Sequence, residues 1–145
     1  MSFDLLGYTY LFIASFLAST ILPFGSEGIM LLLISRKYNI IALVIVASVG
    51  NFLGSCTTYY IGLKGRSYIE RYLKVQPKDI MRAEKYFSKY GSFVLLFTWL
   101  PIIGDVFTVT SGLLRLSFTT FSILVFTGKF IRYVVLAYLA GALMF

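Results

Sequence analysis

Leu22-Pro23-Phe24-Gly25-Ser26-Glu27 and Leu100-Pro101-Ile102-Ile103-Gly104-Asp105 decide how this chain is read. Each is a proline–glycine break inside a long apolar run, with a carboxylate four residues after the proline. A charge inside so apolar a segment costs a few kcal/mol at least and marks a functional candidate. A break there frees backbone N–H and C=O groups, which lipid cannot satisfy. Such backbone survives only where protein or a wet cavity covers it. Two broken apolar segments at matching places in two half-chains point to the binding site of a transporter.

The composition places these breaks in a membrane. Of 145 residues, 59% are hydrophobic and 13% charged, against about 25% charged in a soluble domain. Mean hydropathy is +0.86. One membrane domain of a few spans and a connecting segment accounts for the length. The net charge of +7 is clumped, because eight of the thirteen Lys and Arg fall between Lys64 and Lys89. A basic block between apolar runs reads as a cytoplasmic loop beside anionic headgroups, and not as a nucleic-acid surface. Cys56 is the one cysteine and histidine is missing. That excludes a disulfide framework, a thiolate cluster, a His-containing zinc site and a histidine proton relay. No metal or other cofactor is expected. Asp4 without a positive n-region argues against a cleaved signal peptide.

Tyr8 to Ile34 is long enough for one kinked crossing, or for two short arms, about 8–22 and 28–35, folded back as a re-entrant hairpin. Arg36 and Lys37 mark a surface. Ile40 to Leu63 is uncharged and reads as a transmembrane helix, with Gly50, Gly54, Ser55, Thr57 and Thr58 as a small-residue packing face. In residues 64–90, Tyr68, Ile69, Tyr72 and Leu73 form one apolar stripe. Ile80, Ala83, Phe87 and Tyr90 form another. Pro77 and Asp79 suit the first turn of the second helix. Surface-lying amphipathic helices and a plain connecting loop both fit. Ser92 to Leu114 repeats the broken pattern, Arg115 closes it, and Phe118 to Phe145 is a final long apolar run. Lys129 and Arg132 lie eleven or more residues from either end of that run, too deep to snorkel out, so they should face protein or water.

A shift of 78 residues lays Leu22-Pro23 on Leu100-Pro101, Glu27 on Asp105, Gly50-Asn51 on Gly128-Lys129 and Gly54 on Arg132. The expected fold is therefore an all-α integral membrane protein with an inverted repeat. Each of two broken, re-entrant helical hairpins is followed by a transmembrane helix, with a basic amphipathic connector between the halves. The single domain 1–145 divides into repeat 1 at about 8–63, connector 64–90 and repeat 2 at about 91–145. With 64–90 cytoplasmic, the hairpins enter from opposite faces and their tips meet near the midplane.

Glu27, Asp105, Lys129 and Arg132 are the charges placed in the membrane interior. Lys129 and Arg132 are three apart and share a helix face. Mutual ion pairing that only locks hairpins to helix is one reading. In the other, the two cations meet an anionic group, with Arg suited to phosphate geometry. Glu27 or Asp105 then exchanges protons, since low dielectric disfavours a charged carboxylate. Asn51, in the slot equivalent to Lys129, completes the polar lining. Arg115 is an interfacial anchor able to catch a headgroup on its way in. Pro23, Gly25, Pro101 and Gly104 are the hairpin breaks.

Several motifs resemble the DedA family of membrane proteins (VTT-domain, SNARE-associated), in the short form of its YqaA-like branch. Gly50-x-x-x-Gly54-x-x-x-x-x-Tyr60-Ile61-Gly62 with Gly65-Arg66 is similar to the family's first-helix signature. Arg82-Ala83-Glu84-Lys85-Tyr86-Phe87-x-x-Tyr90-Gly91 resembles its basic helix before the second hairpin. Phe97-x-x-Leu100-Pro101, then Ser111 to Ser117 and Phe121, resembles that hairpin and its exit. Pro23 to Glu27 resembles the Pro-Gly-Glu of the first hairpin. The resemblance implies opposed re-entrant hairpins, a multi-pass protein of the bacterial inner (cytoplasmic) membrane, and proton-dependent flipping or scrambling of an anionic lipid such as undecaprenyl phosphate or a phospholipid. Trp99 stands where many members carry Arg, Asp105 where the position is often basic or Thr, and Ser55 where an acid is common. Only Glu27 matches a family acid directly, leaving Lys129 and Arg132 to supply the positive charge. The function expected is thus lipid transport, with phospholipid or another anionic lipid, protons and a second copy of the chain as partners. A small-ion or solute transporter and a membrane-organising module remain the alternatives. No enzyme is expected: no nucleophile–base pair stands out, and two acids are thin for a metal.

Overall fold

The computed structural model describes residues 2–20, 25–73 and 75–145. Among them every regular element is helical: α1 (Ser2–Ala18), α2 (Ser26–Ser35), α3 (Ile40–Leu63), α4 (Arg66–Tyr72), α5 (Pro77–Tyr90), a 3₁₀ helix (Gly91–Trp99), α6 (Ile103–Leu113) and α7 (Phe118–Met144). Pro23 and Leu22 lie outside the described residues. Of these helices, α3 with 24 residues and α7 with 27 are long and apolar enough to cross a membrane. Their outer faces carry Ile41, Ile45, Ile123, Val135 and Leu143, half or more exposed. So extended an apolar surface has no place in water and marks contact with lipid.

Both long helices start where the charge pattern placed them, and both start through the same corner. Arg36 N–H donates to the Leu32 carbonyl, Lys37 to Ile34 and Tyr38 to Leu33. Leu114, Arg115 and Leu116 make the corresponding bonds to Thr110, Gly112 and Ser111, each 78 residues on. Lys37 (φ 61°) and Arg115 (φ 55°) are both left-handed at the turn, so the hydrogen bonds of each corner hold a non-glycine residue where few sit. Asn39 caps α3 by accepting from the Ala42 N–H at 3.0 Å.

The packing of the two halves is crossed. In the first half α1 lies on α3, and in the second the 3₁₀ helix lies on α7; α2 reaches over to α7, and α6 reaches over to α3. The Tyr38 hydroxyl donates to the Phe3 carbonyl at 3.1 Å. The start of α1 and the corner after α2 thus lie together, and the two helices form a hairpin. Tyr59, near the end of α3, donates its hydroxyl to the Leu116 carbonyl in the second corner. The two corners therefore sit at opposite ends of α3, and α3 and α7 run antiparallel. Tyr59→Phe removes that bond from a buried ring packed on Phe121. It should cost about 1 kcal/mol, read as earlier loss of the monodisperse peak on heating in detergent.

Close crossings are made by glycine. A Cβ on Gly50 or Gly54 would meet the Phe12 or Phe16 carbonyl of α1 at 2.7 or 2.4 Å. Gly62 and Gly112 face one another across α3 and α6. Van der Waals contact between backbones replaces the hydrophobic drive that lipid cannot supply.

Four local readings change. Helix α1 begins at Ser2, six residues before the apolar run, because Asp4 in its first turn favours a helix N-terminus. Helix α2 begins at Ser26, set by Gly25 at φ 149°. Thr57 leaves the small-residue face of α3, being exposed and bonded to the Leu53 carbonyl of its own helix. In the connector, Ile69, Ile80, Ala83 and Phe87 are buried, but Tyr68, Tyr72 and Tyr90 are exposed. Pro77 and Asp79 do open α5.

The first arm of the second hairpin is the 3₁₀ helix, nine residues long, where runs beyond three or four residues are uncommon. At about 2.0 Å per residue it spans roughly 18 Å, against about 13.5 Å as an α-helix. The tighter winding lets a short arm reach as deep as a longer one.

Candidate functional site

The two acids hold equivalent places. Glu27 is in the first turn of α2 and Asp105 in the first turn of α6, each just after its hairpin break. A helix N-terminus stabilises a carboxylate there through its unpaired N–H groups and dipole. Across from them, Lys129 and Arg132 project from the middle of α7.

Arg132 pairs with Glu27, tying α2 to α7, and both side chains keep partial exposure, at 20% and 25%. Beside that pair the Ser26 hydroxyl and the Tyr133 hydroxyl share a hydrogen bond of 2.9 Å, with Tyr133 fully buried. Lys129 is buried completely and donates to the Asn51 side-chain oxygen. Asn51 in turn donates from Nδ2 to the Ser15 carbonyl at 3.0 Å. One amide thus links α1, α3 and α7. Asp105 interacts with Lys129 through charge without closing to an ion pair. The neutral amide and the more distant acid leave the Lys129 ammonium without a carboxylate in direct contact.

A polar seam extends from this pair along α1 and α3. Ser19 and Ser55 hydroxyls are 2.7 Å apart, and Thr58 donates to the Ser19 carbonyl at 3.1 Å. Buried hydroxyls in a membrane protein are costly unless bonded, and these have partners. Ser15 and Ser48 hydroxyls, also buried, have no hydrogen-bond partner among the described residues.

The second break is strained. Ile102 is β-branched and sits at φ 67°, a real outlier for such a residue. Pro101 precedes it. Gly104 follows so tightly that a Cβ there would meet the Thr98 carbonyl at 2.2 Å. At Gly25, at the first break, an added Cβ would meet no atom of the described residues within 4 Å.

The fold therefore brings Glu27, Arg132, Lys129, Asn51 and Asp105 to the junction of α2, α3, α6 and α7. Arg115 is set apart, exposed in the corner after α6, ten residues and roughly 15 Å of helix rise from Asp105. Sequence reasoning missed Tyr133 and Ser26, because tyrosines are common here and one more reads as packing. The i, i+4 pairs Ser15/Ser19 and Asn51/Ser55 were the available signal for the seam. Among the described residues no three His, Cys, Asp or Glu side chains gather as metal ligands.

Crossed helical hairpins, two membrane-capable helices and a buried charged junction define a small all-helical membrane protein. The chain belongs to the VTT-domain family, whose model matches residues 22–141, in agreement with the DedA-type motifs of the sequence. It is 39% identical over 142 residues to an uncharacterised protein of Haemophilus influenzae, covering 90% of this chain and 85% of that one. It is 33% identical over 130 residues to the inner membrane protein YqaA of Escherichia coli, covering 88% and 86%. Undecaprenyl phosphate transporter A of Staphylococcus aureus is 29% identical over 135 residues, covering 84% of this chain and 66% of that one. No solved structure matches the chain.

Proposed function

We propose that the protein carries an anionic lipid across the bacterial inner membrane, binding a phosphate-type headgroup together with a proton at the Glu27–Arg132 pair. The observation that carries this reading is that pair, part-exposed at the junction of a hairpin arm and a spanning helix, with a fully buried lysine one turn away. A guanidinium fork binds carboxylate and phosphate in the same bidentate way. Protonation of Glu27 frees Arg132 for a headgroup, and departure of the headgroup returns Arg132 to the ionised carboxylate. Lys129 keeps the junction electropositive, and the N–H groups at the start of α2 add donors. The relative named for undecaprenyl phosphate transport fits the same chemistry.

The architecture of this proposal is an inverted repeat of re-entrant hairpins. The two corners match bond for bond at an offset of 78, the long helices are antiparallel, and the arms are exchanged between halves. The Lys129–Asn51 bond joins residues 78 apart, which are each other's equivalents. Equivalent residues that touch lie on the two-fold axis, so the axis passes through the charged junction. With the connector 64–90 on the cytoplasmic side, each hairpin opens to a different face, as alternating access requires. The reading assigns the protein no chemical step on its substrate.

Arg132→Ala in proteoliposomes tests the site. Movement of a labelled phosphate-headed lipid should fall by roughly tenfold or more, a barrier of at least about 1.4 kcal/mol. An imposed pH gradient should change the wild-type rate and leave the variant unaffected. Unchanged lipid movement in folded variant removes Arg132 from the site. Flux of a water-soluble ion without lipid movement would assign the fold to solute transport.

A further inference from the structure

A groove of about 680 Å³ lies apart from the charged junction, between α5, the 3₁₀ helix and α6. Its walls are aromatic and aliphatic: Tyr86 and Tyr90 at the connector end, Phe93 and Phe97 along the 3₁₀ arm, and Ile103 and Phe107 on α6. It therefore leads from the surface helix α5 to the turn of the second hairpin, next to Leu100. Tyr86 and Phe107 meet edge to face at 6.1 Å, which fixes its inner wall. The tyrosines and Phe93, Phe97 and Ile103 remain about half exposed or more.

Lys89 stands at the edge of this groove, on a helix whose exposed face is mostly basic. On α5, Lys78, Arg82, Lys85 and Lys89 recur at i, i+4, i+7 and i+11, a single stripe. By the 100° step of the helix it runs beside Tyr86 and Tyr90. All four side chains are exposed. Lys89 Nζ lies 5.2 Å from the Tyr90 ring centre, at the groove edge. Glu84 is on the other side of the helix, paired with Arg66 at 2.8 Å. Asp79, seven residues before Tyr86, is the acid on the groove side, at the far end of α5.

We propose that this groove binds a single anionic amphiphile of the cytoplasmic leaflet, its tail along Phe93, Phe97 and Phe107 and its phosphate on the Arg82–Lys89 stripe. Charge selects this occupant. A zwitterionic lipid gains little from four aligned cations, and an acidic peptide gains little from a purely apolar channel below them. The site deepens the transport reading by giving the headgroup a place to dock before the hairpin, but its test reads binding and not transport.

The protein in nanodiscs of phosphatidylcholine is doped with phosphatidylglycerol carrying a photoreactive group in its tail, and labelled peptides are mapped. Labelling is expected within residues 93–107, saturable and competed by unlabelled phosphatidylglycerol. It should fall by roughly tenfold or more in Arg82→Glu/Lys89→Glu, since each cation adds to attraction for an anionic headgroup. Tail-labelled phosphatidylcholine should not saturate there. Equal labelling by the two lipids, or no competition in wild type, would overturn the site and leave the groove wetted by bulk lipid. Competition in wild type needs no substitution, so a variant that fails to fold does not blunt the test. Saturable labelling without lipid transport would keep this site and discard the transport reading. Transport without such labelling would do the reverse.

Discussion

Glu27→Gln should leave the protein folded and lower lipid movement by roughly tenfold or more, at least about 1.4 kcal/mol in barrier. Glutamine keeps the size and one hydrogen-bond acceptor for Arg132 but can neither ionise nor carry a proton. Arg132 then lacks the counter-charge that would displace a headgroup, so release slows. A purely structural pair behaves differently. Taking away one partner strands the other charge, whereas replacing both by apolar residues of similar volume is neutral or stabilising. Glu27→Leu/Arg132→Met separates the two cases. A double variant as stable as wild type and inactive in transport supports a working site. One that transports normally reduces the pair to a clasp between α2 and α7. Thermal stability in detergent and lipid redistribution, measured on one preparation, read both.

Gly112→Leu should abolish the folded monomer, or cost about 3 kcal/mol where it survives, the upper part of the range for overpacking. A Cβ at Gly112 falls 2.0 Å from the Tyr59 carbonyl and 3.1 Å from the Gly62 Cα, and one at Gly62 falls 2.2 Å from the Val109 carbonyl. These neighbours are backbone, so nothing short of separating α3 and α6 makes room. Their separation also pulls the second corner from Tyr59. Gly141→Ala is the control in the same fold. It lies inside α7 with nothing within 4 Å of the added Cβ, so it should be neutral or gain up to about 1 kcal/mol from helix propensity. Size-exclusion profiles after a heating series distinguish them. Equal stability of the Gly112 and Gly141 variants would mean that the close crossing does not hold the halves together.

How much of this was legible in the chain follows from which forces act locally. The long helices at 40–63 and 118–145 stood out because lipid demands an unbroken apolar run of that length. The 78-residue offset was visible in Pro, acid and glycine positions, and it reappears in the backbone bonds of the two corners. The charges of the junction were visible because nothing else explains a charge in so apolar a segment. Their pairing was not. Lys129 could have met Glu27 or Asp105, and helical spacing alone cannot tell that Asn51 takes it while Arg132 takes Glu27. Ser26 and Tyr133 were invisible for a related reason, since their contact spans 107 residues and no local pattern encodes it. The 3₁₀ arm was hidden as well. Ser92 to Trp99 has the composition of any apolar helix, and its winding is set by the reach to the hairpin turn and the close pass of Gly104 under Thr98.

The measurement that bears most directly on the central claim is leaflet exchange by the wild-type protein. Purified protein is reconstituted in phosphatidylcholine vesicles holding a trace of fluorescent phosphate-headed lipid, and a membrane-impermeant quencher is added outside. Label from the inner leaflet should become quenchable, faster for the anionic lipid than for a zwitterionic one, and the rate should respond to a pH gradient. Quenching confined to the outer leaflet, in vesicles shown to contain folded protein, would contradict that claim.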